Sequence, residues 1–148
     1  NNPTLIMTRQ EALSEWNASV EPWFANFASD SFEEICRQYL TRLRFSGQLP
    51  FRPTTLGRWW KDSTEIDIVG ADFDRRHCLV GECKYRNEKV RIKVLRSLQA
   101  KCSQLPVADN AIFDYWIFSR MGFDESLLET AARDSSVHLV ELSQLIGG

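Results

Sequence analysis

Three residues of this 148-residue chain have the types and spacing for chemistry: Asp67, Glu82 and Lys84. Glu82 and Lys84 lie two apart in His77–Tyr85, a run that reads as a strand, and side chains at i and i+2 of a strand share a face. Asp67 sits in the preceding strand-like run, Glu65–Ala71, between Ile66 and Ile68. An acid inside an apolar strand is costly unless it is paired or holds a metal. The turn Asp72-Phe73-Asp74-Arg75-Arg76 joins the two runs as an antiparallel hairpin. Counted from a turn centred near Asp74, residue 67 falls opposite position 81 or 82. Two carboxylates on adjacent strands make a hard oxygen site suited to Mg2+ or Mn2+. Such an ion polarises a phosphoryl oxygen and acidifies its bound water. Lys84 beside it could orient or help deprotonate that water, or offset charge in the transition state. The competing reading of Glu-x-Lys is a weak surface pair. The apolar Cys78-Leu79-Val80-Gly81 stretch before Glu82 argues against it.

The elements that must position these residues are legible as periodicities. Ser31–Arg44 carries Phe32, Ile35, Cys36, Tyr39, Leu40 and Leu43 at helical spacing. Asp30 or Ser31 can cap it, each with a Glu three residues on, Glu33 or Glu34. Weak helical signals precede it at Glu11–Trp16 and Pro22–Phe27. Thr55–Lys61 is a first strand. A helix over Val90–Leu105, a buried strand over Ile112–Ser119, a helix over Asp124–Arg133 capped at Asp124, and a strand over Val137–Leu142 complete the order. A meander followed by a strand–helix–strand crossover implies an α/β fold, a mixed sheet with helices on both faces. Residues 1–30 are read as a helical extension of the domain formed by 31–148.

Glu65-Ile66-Asp67-Ile68-Val69, a hairpin, then Val80-Gly81-Glu82-Cys83-Lys84 resembles the signature of the PD-(D/E)XK nuclease-like superfamily, although Ile66 stands where the family name has Pro. The order helix, three strands, helix, strand is similar to that restriction-endonuclease-like core. Gly57-Arg58-Trp59-Trp60 before the E-I-D strand resembles the C-terminal domain of unknown function of archaeal-type, AAA+-like ATPases. The resemblance covers about Ser31 to Leu142. It implies metal-dependent hydrolysis of DNA phosphodiesters, with Asp67 and Glu82 as ligands of Mg2+ or Mn2+ and Lys84 as the catalytic lysine. It also implies an upstream ATPase domain of the same protein. A glutamate on the first helix joins the site in many members of the superfamily. Glu33 lies at the edge of the apolar stripe beside Leu40, and Glu34 lies on the far side with Gln38 and Thr41. Glu33 is therefore the candidate for catalysis and metal binding, and Glu34 the candidate cap. Glu65 is left between a role near the metal and a solvated strand end.

Lys84, Arg86, Lys89, Arg91, Lys93, Arg96 and Lys101 follow the signature with Glu88 as the one acid among them. Such a face could hold a phosphate backbone through Arg86, Lys89, Arg91 and Lys93, with Arg58 extending it; the alternative is a solvated amphipathic helix. The net charge of −2 weighs against a dedicated DNA-binding module. The rival functional reading is therefore a nuclease-fold module with little activity that binds DNA or protein and regulates the ATPase. Trp59 and Trp60 are read as core or interface residues. His77 and His138 are isolated in sequence, which leaves a catalytic triad unsupported, and there is no phosphate-binding G-x-x-x-x-G-K-[ST] loop. Cys36, Cys78, Cys83 and Cys102 lack zinc-site spacing and are expected as free thiols. The hydrophobic share of 43% suits one domain core. No apolar run approaches the roughly 18 residues that span a bilayer, and no signal sequence is evident, so a cytoplasmic location is expected. The chain lacks an initiator Met and is read as a piece of something larger. Self-association is left open.

Overall fold

In the computed structural model, which describes residues 22–147, a 24-residue helix α1 (Pro22–Phe45) leads into the sheet. It begins well before the expected start at Ser31. The reason is the apolar stripe, which Ala28 carries one turn further back from Phe32, Cys36 and Leu40, all buried. Asp30 and Ser31 are thus mid-helix, and a cap requires non-helical backbone. The expected capping box does not form, and the Pro22–Phe27 signal belongs to this same helix. A boundary at 30/31 would cut it. The Glu11–Trp16 segment lies outside the described residues.

The sheet contains β1 (Gly57–Lys61), β2 (Thr64–Ala71), β3 (His77–Lys84), β4 (Ile112–Ser119) and β5 (Val137–Glu141), in that spatial order. β1, β2 and β3 pair antiparallel. β3–β4 and β4–β5 pair parallel. Helix α2 (Ile92–Lys101) connects β3 to β4 and runs on into one 3-10 turn, Cys102–Gln104. It starts later than Val90 because Val90 forms an isolated bridge with Phe123. Helix α3 (Glu125–Arg133) connects β4 to β5. Its N-cap is Asp124, whose Oδ1 accepts from the Leu127 N–H at 2.9 Å. A short helix, α4 (Leu142–Gly147), follows and takes Leu142 from the expected last strand. The fold is the expected mixed α/β sheet.

Alternate residues of β3 separate the two layers. Leu79 packs with Phe32, Leu40 and Phe118 under α1. Val80 packs with Ile66 and Leu98 under α2. Helices therefore cover both faces, each closing an apolar core.

β2 departs from simple alternation. Gly57 pairs with Val69 and Trp59 with Ile66, so three steps in β2 face two in β1. This extra residue is a β-bulge, which turns the strand locally. In consequence Ile66 and Ile68, two apart, enter different cores. Asp67 stands at the turn between them.

Gly70 is where the chain after α1 presses closest on β2. A Cβ there would lie 2.5 Å from the Thr55 carbonyl oxygen and 2.7 Å from Leu56 Cδ2. Gly57 has nothing within 4 Å of the equivalent position. Gly70→Ala is expected to cost about 1–3 kcal/mol of stability in urea unfolding, whereas Gly57→Ala stays near neutral. Equal effects at the two positions would contradict the packing described.

Candidate active site

Past the last ladder pair, Ile68–Gly81, β2 turns away from β3. The Cys83 N–H points into the gap, and Asp67 Oδ2 accepts it at 2.8 Å. The carboxylate thus takes the place of a missing strand carbonyl. This register sets Asp67 beside Glu82, as counted from the hairpin. Asp67 Oδ1 has no protein hydrogen bond among the described residues, so one oxygen remains available to a ligand.

Glu82 is buried, with 5% of its surface exposed, on the face covered by α2. Its Oε2 lies 3.6 Å from Lys84 Nζ and its Oε1 3.4 Å from Lys101 Nζ. Burial first, and then the Asp67 charge, push the Glu82 carboxyl above the ordinary glutamate range despite these two lysines. Lys101 comes from the last turn of α2 and also donates to the Glu65 carbonyl oxygen at 2.8 Å. The resulting cleft has a volume of about 410 Å3 and is lined by Glu82, Lys84, Arg86, Lys93, Ser97 and Lys101. Four basic residues and one carboxylate line it, and two of the four, Lys84 and Lys101, contact that carboxylate. Larger grooves of about 730 and 490 Å3 exist, but neither is lined by Asp67, Glu82 or Lys84.

Glu33 is the buried glutamate of the first helix, at 8% exposure. Glu34 points outward and pairs with Arg37 and Gln38. It does not cap the helix. Glu33 Oε1 accepts from Arg58 Nη2 at 2.6 Å, and Arg58 Nη1 also lies 3.3 Å from Glu65. Burial raises the Glu33 carboxyl, opposed by the Arg58 hydrogen bond, and the Asp67 charge raises it further. Asp67 is therefore the electrostatic neighbour of both glutamates, which approach it from opposite faces of the sheet.

This geometry corrects the expected ligand set. Among the described residues no three of His, Cys, Asp and Glu are placed to hold one ion. Glu33 is engaged by Arg58, and Arg58 lies among acids rather than extending the basic surface. Asp67 and Glu82 remain, and two carboxylates are what magnesium commonly takes while keeping several waters. A buried acid beside a second acid, with one free carboxylate oxygen, fits a hard cation. Of the basic residues, Arg86 and Lys93 line the cleft, while Lys89 and Arg91 are exposed outside its lining. Trp59 packs in part beneath the sheet, and Trp60 is mostly exposed.

In the sequence Lys101 is only one charge of the basic helix. Its seventeen-residue separation from Lys84 hides the convergence, and only the crossing of α2 over β3 brings both lysines to Glu82. The histidines, isolated in sequence, each pair with an aspartate: His77 Nδ1 with Asp72 at 2.7 Å and His138 Nε2 with Asp114 at 3.0 Å. His77 begins β3, at the end remote from Glu82. The four cysteines are free.

Residues 2–95 match the family DUF234, described as archaeal and bacterial proteins of unknown function. The chain is 30% identical over 80 residues to an uncharacterized protein, MJECL04, of Methanocaldococcus jannaschii. That match takes in 53% of this chain and 18% of the relative, so the chain spans less than a fifth of that protein's length. A crystal structure of a protein of unknown function, AF1548, aligns with 74% of this chain and 59% of its own at 21% identity and a TM-score of 0.45.

A carboxyl whose pKa is raised on folding holds its proton more tightly folded than unfolded. Its ionisation therefore costs stability as pH climbs above the ordinary value of 4.5. Glu82→Gln is expected to raise the melting temperature at pH 7. The gain should shrink as pH falls toward and below 4.5, where the wild-type carboxyl is protonated in both states. A Glu82→Gln protein less stable than wild type at pH 7 would show that the two lysines outweigh burial.

Proposed function

We propose, for a chain that belongs to the DUF234 family of archaeal and bacterial proteins, metal-dependent hydrolysis of DNA phosphodiester bonds by a PD-(D/E)XK-like site. The observation that carries this reading is the juxtaposition of Asp67, buried Glu82 and Lys84 where β2 parts from β3. Asp67 and Glu82 would hold one Mg2+ or Mn2+, which supplies Lewis-acid polarisation of the phosphoryl oxygen and an acidified water. The chain's own residues do the rest. The Cys83 N–H fixes the Asp67 carboxylate, leaving Oδ1 toward a ligand. Lys84, at the Oε2 side of Glu82, is placed to orient the attacking water and to offset charge building on the phosphate. Arg86 and Lys93, on the cleft rim, would grip the flanking phosphate backbone. Glu33 acts indirectly, through its charge on Asp67 and its hold on Arg58. In the whole protein we place this domain after an ATPase module.

A second reading has its own support. Every glutamate of the cluster already has a basic partner, Glu33 and Glu65 with Arg58, Glu82 with Lys84 and Lys101. A cluster neutralised in this way is also compatible with a regulatory module that retains the fold but not the reaction.

The two readings separate in a cleavage assay with Mg2+ or Mn2+. Under the first, Lys84→Ala lowers the rate by about 10²–10⁴-fold while DNA binding persists. Lys93→Ala weakens DNA binding and flattens its salt dependence, with the rate at saturation largely kept. If the domain cuts no DNA with either metal, alone or joined to its ATPase, the catalytic reading fails and the regulatory one stands.

A further inference from the structure

Lys101 is tied at both ends of its reach. Its Nζ donates to the Glu65 carbonyl oxygen at 2.8 Å and meets Glu82 Oε1 at 3.4 Å. Its side chain is 29% exposed and is part of the cleft lining. Lys84, two residues further along β3, contacts the other oxygen, Oε2. Lys101 thus holds the oxygen of Glu82 that Lys84 leaves free, and a divalent cation shared by Asp67 and Glu82 would meet that ammonium at close range. A dication bound at Oε1 would take the position that the Lys101 ammonium now faces and would repel it at that range.

Resting on the metal-site reading above, we propose that Lys101 is a positioning residue for Glu82: a resident cation that occupies the carboxylate until a divalent ion displaces it into the cleft. In the metal-free protein it lets a buried acid stand beside Asp67 with a countercharge of fixed origin. Its tether to the Glu65 carbonyl keeps it within reach of both positions. Once displaced, its ammonium joins Lys84, Arg86 and Lys93 on the cleft lining, where a phosphate would be received.

The test is calorimetric titration of the folded domain with Mn2+, comparing wild type, Lys101→Gln, Lys101→Arg and Lys93→Gln. Lys101→Gln is expected to bind Mn2+ more tightly, on the order of tenfold for removal of a unit charge near a dication. Lys101→Arg should keep the wild-type affinity. Lys93→Gln, a cleft lysine that does not contact Glu82, should shift it much less. Melting gives a signature that a mere strut cannot. The deficit of Lys101→Gln should be present without Mn2+ and shrink at saturating Mn2+, whereas a strut joining α2 to β2 would cost the same in both. Unchanged or weaker Mn2+ binding by Lys101→Gln overturns the proposal and leaves the metal site standing. No Mn2+ binding by wild type or by Lys101→Gln removes the metal site itself, and this proposal with it. If Lys101→Gln does not fold, labelling of wild-type Lys101 by an amine-reactive ester decides. Faster labelling with Mn2+ supports displacement, and equal labelling overturns it.

Discussion

The arrangement depends on one hydrogen bond, from the Cys83 N–H to Asp67 Oδ2. The bulge in β2 ends the ladder at Ile68–Gly81 and leaves a strand donor facing a gap. An unpaired backbone N–H in a partly buried position costs about as much as a lost hydrogen bond. A carboxylate that accepts it satisfies the donor and is itself fixed in place. The same bulge sends Ile66 and Ile68 into opposite cores, so the apolar layers on both faces hold the strand in its turned course. Asp67 is clamped by packing on either side and by the backbone of β3 ahead of it.

From that fixed charge the electrostatics of the site follow. Asp67 raises both Glu33 and Glu82, one from each face. Each is then met by a cation from a different element: Arg58 from β1, Lys84 from β3, Lys101 from α2. Concentrating acids in a poorly solvated spot does not by itself stabilise a fold. Such a cluster beside a basic cleft is what the proposed metal site would require.

Local spacing made much of this visible beforehand. The alternation in His77–Lys84 placed Glu82 and Lys84 on one face, and counting back from Asp74 placed Asp67 near position 82. The helical phase of Phe32, Cys36 and Leu40 separated Glu33 from Glu34. What escaped had long-range causes. Nothing around Arg58 announces Glu33, 25 residues earlier, as its partner. Lys101 meets Glu82 only because α2 crosses β3. The bulge escaped because Glu65-Ile66-Asp67-Ile68 alternates well enough to pass for a regular strand, and the choice between registers was made by the two cores. Asp30 and Ser31 form a good capping pattern inside a helix whose apolar stripe continues past it through Ala28, so a local signal is overridden by packing.

The central claim, that Asp67 and Glu82 share one hard cation, is tested most directly by Mn2+ binding followed by electron paramagnetic resonance in wild type, Asp67→Asn and Glu82→Gln. Asn can still accept the Cys83 N–H, so Asp67→Asn removes charge while keeping the strand geometry. The account predicts one bound Mn2+ in wild type and its loss or severe weakening in each variant. Wild-type binding that survives both substitutions unchanged would place the ion elsewhere and contradict the account.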